Sequence, residues 1–192
     1  LYVGPLLDFS GYAHAARDYV RALNDVGCNI VTRHVKYDSG GYRNNPLEKI
    51  LASKDTQNVD IVIQHSTPNE CSRKDGVFNV MYFAWETDRL PKEWVDKINT
   101  MDLALVPCEE NIKAARRSGV IIPMHKIVHT FNAEKYEEEH SPFVIQGAEN
   151  HFKMLSVCQF SKKKGIDSLL KAYLSEFSDE ENVMLILKAY IS

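Results

Sequence analysis

The chain alternates between two hydrophobic periods. Short runs of consecutive apolar residues, the pattern of strands buried on both faces, are separated by stretches in which apolar residues recur at helical spacing. Leu1 to Gly4 reads as the first strand. From Tyr12 to Val26, the residues Ala15, Ala16, Tyr19, Val20, Leu23 and Val26 share one helical face, and Gly27 follows where a helix commonly ends in the left-handed conformation. Cys28 to Val35 is a second strand, followed by a polar loop through Gly40, Gly41, Asn44 and Asn45 and a short helix entered at Pro46. Val59 to Ile63, Val77 to Ala84 and Leu103 to Val106 are further strands. Helices are expected from Pro91 to Ile98 and from Glu109 to Ser118, the second with two acidic residues in its first turn, where the helix dipole favours them, and Gly119 at its end.

The rhythm breaks over Glu134 to Asn150. The acidic run Glu137, Glu138, Glu139, together with Pro142 and Gly147, reads as a solvated linker, so residues 1–147 form one domain and 148–192 the start of another. Beyond it, Met154 to Val157 is a strand, Ile166 to Phe177 a helix with Leu169, Leu170, Tyr173 and Leu174 turned inward, and Val183 to Leu187 a strand. The expected fold class is α/β: a Rossmann-like parallel sheet with helices on both faces, then the first strand, helix and strand of a second such domain. The chain begins this unit twice and completes it once, and it opens without a Met inside an apolar run. It is therefore expected to be a trimmed polypeptide holding part of a cleft shared by two domains.

Composition narrows the partners. The 192 residues are 44% hydrophobic with a net charge of −3, enough for a substantial core. Lysine and arginine are scattered apart from Lys162, Lys163 and Lys164, which argues against a nucleic-acid surface. Cys28, Cys71, Cys108 and Cys158 stand far apart with no CxxC pair, which fits reduced thiols and no metal site. No run reaches the roughly 20 apolar residues of a membrane span, and no signal peptide opens the chain. A cytoplasmic location is expected, with peripheral membrane contact left open.

Three groups of residues could carry chemistry. Asp8, Phe9, Ser10, Gly11 and Tyr12 lie between the first strand and the first helix, where a glycine lets a ligand approach the backbone and the free N–H groups suit a phosphate or sugar hydroxyl. The alternative is a plain turn with Ser10 as N-cap. The segment is not GxGxxG, and no acidic residue ends the second strand, so a dinucleotide fold has little support. The second group, His65, Trp85 with Glu86, Glu109 with Glu110, and His129, stands at the carboxyl ends of strands, the edge at which open parallel sheets bind ligands. Glu86 and His65 are candidates for acid/base roles and Trp85 for an apolar wall against a sugar ring. The competing readings are a satisfied core histidine and a carboxylate capping the turn before Pro91. The third is Ser161 to Gly165, where a lysine could meet phosphate oxygens beside a helix N-terminus, or the three lysines could form a solvated turn.

Four segments in register resemble the GT-B glycosyltransferases of the retaining group called group 1 or family 4, over essentially the whole chain. FSGYAHAARDYVRALNDVG resembles the first glycine loop and helix, with Gly11 at the loop glycine. YFAWETDRLPKEWV resembles a tryptophan-glutamate variant found in part of the family. HTFNAEKY resembles the element closing the N-terminal domain, and LSVCQFSKKKGIDSLLKAY the opening of the C-terminal domain. The resemblance implies an acceptor-side N-terminal domain, a C-terminal domain for a UDP- or GDP-sugar co-substrate, and no cofactor or required metal. It implies transfer with retention to a hydroxyl of a carbohydrate, lipid or protein acceptor. Ser10, Gly11 and Lys164 would then serve the donor and its diphosphate; Glu86 and His65 would be catalytic; Trp85, Tyr12 and His129 would contact substrate. Gln159 stands where an arginine is common, Thr130 and Asn132 replace a glycine and an aspartate, and Trp85 with Glu86 stand where many members carry a histidine, which marks a divergent member. The family's acidic donor motif would lie beyond Ser192, so this chain alone is expected to be inactive. Two rivals stay open: a non-catalytic binding or structural module of the same fold, and a sugar-nucleotide epimerase, which would need no acceptor.

Overall fold

The computed structural model describes residues 1–8, 10–35 and 58–190. The short helix expected at Pro46, the loop at Gly40 and Gly41, and Phe9 lie outside them. The chain divides into two compact units, Leu1–Glu137 and Glu138–Ser192. The division falls in the acidic run, ahead of the boundary expected at Gly147.

The first unit is an α/β layer structure around one parallel sheet, as the alternation of periods requires. Its strands are β1 (Tyr2–Gly4), β2 (Thr32–His34), β3 (Ile61–His65), β4 (Phe78–Tyr82), β5 (Leu103–Val106) and β6 (Met124–Lys126). Among the described strands the order is β2-β1-β3-β4-β5-β6, every pair parallel, with Tyr2 beside both Thr32 and Ile63, and Val80 beside Leu103. Strand β6 has no counterpart among the expected elements. Its three residues, Met124, His125 and Lys126, carry a single buried side chain, Met124, too little apolar pattern to read as a strand.

Side chains that alternate along the strands feed two cores on opposite faces. On one face Tyr2, Tyr82 and Leu105 meet Ala16, Tyr19 and Val20 of helix α1 (Gly11–Asp25). On the other, Met81, Phe83, Ala104, Val106 and Met124 meet Val95 and Ile98 of α2 (Lys92–Ile98) and Ala114 and Ala115 of α3 (Glu109–Ser118). The ends of α1 and α3 were legible from their glycines. Gly27 and Gly119 have φ of 81° and 103°, the left-handed conformation that leaves no Cβ to clash.

Buried polar side chains are pinned to backbone, which satisfies both partners. Asn79 is fully buried; its amide donates to the carbonyls of Lys74 and Val77, both at 2.8 Å, and its Oδ1 accepts from the N–H of Lys74 at 2.8 Å. Gln64 does the same for Ser72, donating at 2.9 Å and accepting at 3.1 Å. Such pairs fix the turns at the ends of β3 and β4 at no cost in unsatisfied groups.

The second unit opens after the short helix α4 (Glu134–Glu137), which closes the first. It is a β-α-β unit: β7 (Phe152–Gln159), a tight turn at Lys162–Lys164, α5 (Ile166–Glu176) and β8 (Val183–Tyr190), the strands parallel from Phe152 beside Val183 to Gln159 beside Tyr190. Its helix departs from expectation. Of the side chains expected inward, Leu174 is 73% exposed and Leu169 is exposed, while Tyr173 is half-buried with its hydroxyl donating to the carbonyl of Val183 at 3.0 Å. One helix over two strands covers one face, so α5 buries Ile166 alone and leaves Leu155 and Val157 of β7 exposed.

All four cysteines are free thiols, and the buried one is Cys71, whose thiol burial pushes up to about 12. No described helix is long and apolar enough to cross a membrane.

Candidate functional site

At the carboxyl edge of the sheet, the chain leaves β1 toward β2 on one side and leaves the neighbouring β3 toward β4 on the other. Such a switch point opens a crevice in parallel α/β sheets. Here the crevice is a cavity of about 290 Å³ lined by Ser10, Gly11, Tyr12, Ala15, His65, Tyr82, Ala84 and His129. These residues come from the start of α1, the ends of β3 and β4, and the loop after β6.

The loop from β1 into α1 is held from within. Arg17, on the second turn of α1 and 7% exposed, donates to the carbonyls of Leu6 at 3.1 Å and Asp8 at 2.8 Å. Asp8 is buried, with Oδ1 3.7 Å from Nε2 of His34 at the end of β2, while His34 Nδ1 accepts from the N–H of Leu7 at 3.3 Å. Ser10 caps α1, its Oγ accepting from the N–H of Ala13 at 3.1 Å, so its side chain is engaged in the helix start. Gly11 is the first helical residue, and a Cβ built there meets nothing within 4 Å. The fold does not need a glycine at that position, and Gly11 is among the residues that line the cavity. Gly4 is the opposite case: a Cβ there would lie 3.2 Å from the carbonyl oxygen of His65, so its absence lets β1 and β3 close up beside that histidine.

His65 sits in an aromatic nest. Its ring centroid lies 4.3 Å from that of Tyr82, 5.4 Å from Tyr12, 5.9 Å from Tyr19 and 6.0 Å from Tyr2. Its Nδ1 is 2.6 Å from the hydroxyl of Tyr2. It is 1% exposed, and burial, assisted by the charge of His129, pushes its imidazole down to about 3. It is therefore neutral at physiological pH and suited to hydrogen bonding rather than to delivering a proton as imidazolium. Tyr12 bridges helix and sheet, its hydroxyl donating to the carbonyl of Ala84 at 3.0 Å and accepting from the same residue's N–H at 3.1 Å.

His129 is exposed and lines the same cavity, with Nδ1 3.4 Å from the Tyr82 hydroxyl. Tyr82 in turn lies 3.1 Å from the Tyr19 hydroxyl, which reaches the carbonyls of Ile127 at 3.0 Å and Val128 at 2.8 Å. Tyr2, Tyr19, Tyr82, Arg17 and Gly4 were not singled out as site residues. A signal for the tyrosines existed: a buried phenol needs a polar partner, so Tyr rather than Leu or Phe at apolar positions of α1 and β4 points to hydrogen bonding there.

The structure thus brings together Ser10, Gly11, Tyr12, His65 and His129. Trp85 and Glu86 follow β4 but line none of the described cavities among which the site falls. The Trp85 ring packs edge-on against Trp94 at 4.6 Å, its Nε1 donates to the carbonyl of Arg89 at 2.6 Å, and Asn111 holds its backbone at 3.2 and 2.6 Å. Those contacts use the ring for packing against α2, where a sugar wall was expected. Glu86 is exposed on the same loop. Glu109 and Glu110 pair with Lys126 and Lys113 at the start of α3. Lys164 belongs to the second unit, exposed at the end of its tight turn and followed by Gly165 with φ of 65°. Among the described residues no group of histidine, cysteine and carboxylate side chains could hold a metal ion.

No protein-family model, no curated protein and no solved structure matches the chain.

Proposed function

We propose that this chain takes part in retaining glycosyl transfer, carrying a sugar from a UDP- or GDP-sugar to a hydroxyl acceptor, with the acceptor seated in the first unit. The observation that carries the reading is Gly11 in the lining of that cavity, with no side chain over the backbone there. A ligand can reach the backbone at the start of α1, where the helix dipole favours phosphate or polarised hydroxyl oxygens. The rest of the cavity suits a polyhydroxylated ligand, with aromatic rings for its apolar faces and two histidines for its hydroxyls. Rate enhancement in such a site comes from orientation and from dipoles aimed at the leaving diphosphate. In the second unit Lys164 is the residue we propose for contact with phosphate oxygens.

The test is a panel of nucleotide sugars, each incubated with and without hydroxyl acceptors and followed for release of the nucleotide. Acceptor-dependent release supports transfer. Conversion of the nucleotide sugar without acceptor indicates epimerisation, binding without turnover indicates a binding module, and neither binding nor turnover sinks the reading.

A further inference from the structure

A second cavity in the first unit, of about 310 Å³, lies between the last turns of α1 and the sheet. The sheet contributes Ile63, Tyr82 and Leu105 to it, and α1 contributes Tyr19, Ala22 and Leu23, continued by Val26 at the helix cap. The loop after β6 adds Ile127. Three tyrosines border this cavity, yet the surface they offer it is almost wholly apolar, because their hydroxyls are engaged elsewhere. The Tyr2 hydroxyl meets Nδ1 of His65 at 2.6 Å, and that of Tyr19 lies 3.1 Å from the Tyr82 hydroxyl and 3.0 and 2.8 Å from the carbonyls of Ile127 and Val128. Leu23, Ile63 and Leu105 pack against the neighbouring core and are only partly buried, so a hydrocarbon ligand there would gain contact with all three.

This cavity adjoins the candidate site. Tyr82 lines both. On α1, Gly11 and Ala15 line the site and Tyr19, Ala22 and Val26 line the apolar cavity, at steps of three or four residues that keep all five on one stripe of the helix. The two cavities therefore follow one another along α1. The first offers polar groups from Ser10, His65 and His129, and the second offers carbon.

We propose that the apolar cavity seats the hydrocarbon chain of an amphiphile whose hydroxyl-bearing head enters the candidate site. Resting on the glycosyl-transfer reading, this makes the acceptor a lipid. Size selects a chain over a protein element. A helix with its side chains is about 10 Å across and rises about 5.4 Å per turn, so a single turn needs on the order of 400 Å³. That exceeds the cavity. A methylene needs roughly 30 Å³, about the share of one water molecule in the liquid, so about ten methylenes fill it. A wholly water-soluble sugar would meet only the first cavity and gain nothing from the second.

The test is calorimetric titration of the whole chain with alkyl glucosides from hexyl to tetradecyl, each below its micellar concentration and with no nucleotide sugar present. Affinity is expected to rise up to about fourfold per methylene and to level off near decyl, where the cavity is full. A flat series, or one that climbs through tetradecyl without levelling as on open apolar surface, overturns the proposal, and neither result needs a variant to fold. Ala22→Phe, at a half-buried position of α1, takes up cavity space and is expected to weaken decyl glucoside at least about tenfold. Leu155→Lys, on the exposed apolar strand of the second unit, is expected to change nothing. Unchanged affinity in a folded Ala22→Phe, or a loss in Leu155→Lys instead, overturns the proposal as well. A levelling series in a chain that transfers no sugar would uphold the lipid site and count against the transfer reading. Transfer to water-soluble acceptors beside a flat series would uphold transfer and sink the lipid acceptor.

Discussion

Tyr19 donates its hydroxyl proton to the carbonyl of Val128, 2.8 Å away, and so ties the helix that begins at Gly11 to the loop that carries His129. The two elements are more than a hundred residues apart in sequence. One side chain joins the two elements, and the same hydroxyl lies 3.1 Å from that of Tyr82 beneath. The polar lining of the cleft therefore depends on buried tyrosines, of which Tyr82 lines the cavity itself.

Tyr19→Phe keeps the ring in place and removes that tie. It leaves the Val128 and Ile127 carbonyls without their donor and the Tyr82 hydroxyl without one of its hydrogen-bond partners. A loss of about 1–3 kcal/mol is expected for buried groups left unpaired. Urea denaturation of the two proteins, compared at constant m-value, measures it, and a change below about 0.5 kcal/mol would show that the hydroxyl is not engaged as described.

His65 predicts an acid-sensitive fold. Its folded-state value near 3 lies below the ordinary 6.5, so protonation favours the unfolded chain. The stability it preserves is complete above about pH 6.5 and is lost as pH falls from there toward 3, at roughly 1.4 kcal/mol per pH unit. Between pH 6.5 and 5 the wild-type chain should lose about 1.5 kcal/mol through this residue. In His65→Gln, which keeps an acceptor for Tyr2 without titrating, that part of the pH dependence should vanish. Equal slopes in both proteins would place the acid sensitivity elsewhere.

The sequence pattern disclosed the α/β class and most elements, because parallel strands buried on both faces leave apolar runs that need no context to be read. Leu103–Val106 and Glu109–Ser118 have the expected bounds. Strand β6 escaped, since Met124, His125 and Lys126 pair by position in the sheet and not by pattern. The site was half legible. Gly11 and His129 stood at the edges where ligands bind, but nothing local could show that Trp85 turns to Trp94. That orientation is settled by Asn111 and Arg89, contacts that exist only in the folded chain. The tyrosine network was hidden for the same reason, being built from tyrosines on three elements, β1, α1 and β4.

Gly11→Ala separates folding from binding. The added methyl meets no protein atom and relieves backbone entropy, so the chain should unfold at the same temperature or higher, a gain of up to about 1 kcal/mol. Because Gly11 lines the cavity, a ligand that approaches the helix start there would meet the methyl, and affinity for a nucleotide sugar or acceptor sugar should fall at least about tenfold, or about 1.4 kcal/mol. Calorimetry and a binding titration on the same preparation decide it. Unchanged affinity would remove Gly11 from the site.

Asn79→Leu tests whether the fold depends on its amide pegs. The leucine has similar volume but leaves the N–H and carbonyl of Lys74 and the carbonyl of Val77 unpaired at a fully buried position. Three orphaned backbone groups predict a loss of about 2–4 kcal/mol, read from the denaturation midpoint, with solvent reaching some of them setting the lower end. Asn79→Asp should cost less near the carbonyl acceptors only if its carboxyl is protonated, so its deficit should grow as pH rises.

Lys164 offers a test of the second unit by itself. It closes a tight turn whose last bond runs from the N–H of Gly165 to the carbonyl of Lys162 at 3.1 Å, and its exposed side chain supports no packing. Helix α5 then starts without a side-chain cap, its first N–H groups open to an anion. If the ammonium and those amides hold a diphosphate together, Lys164→Ala should leave stability unchanged within about 0.5 kcal/mol and weaken UDP or GDP binding at least about tenfold. The residual binding should also depend less steeply on salt, because one charged contact has gone. A titration of each nucleotide at two ionic strengths measures both effects. If affinity and salt dependence both match the wild-type chain, the three lysines are a solvated turn, and the diphosphate contact must be sought at the start of α1.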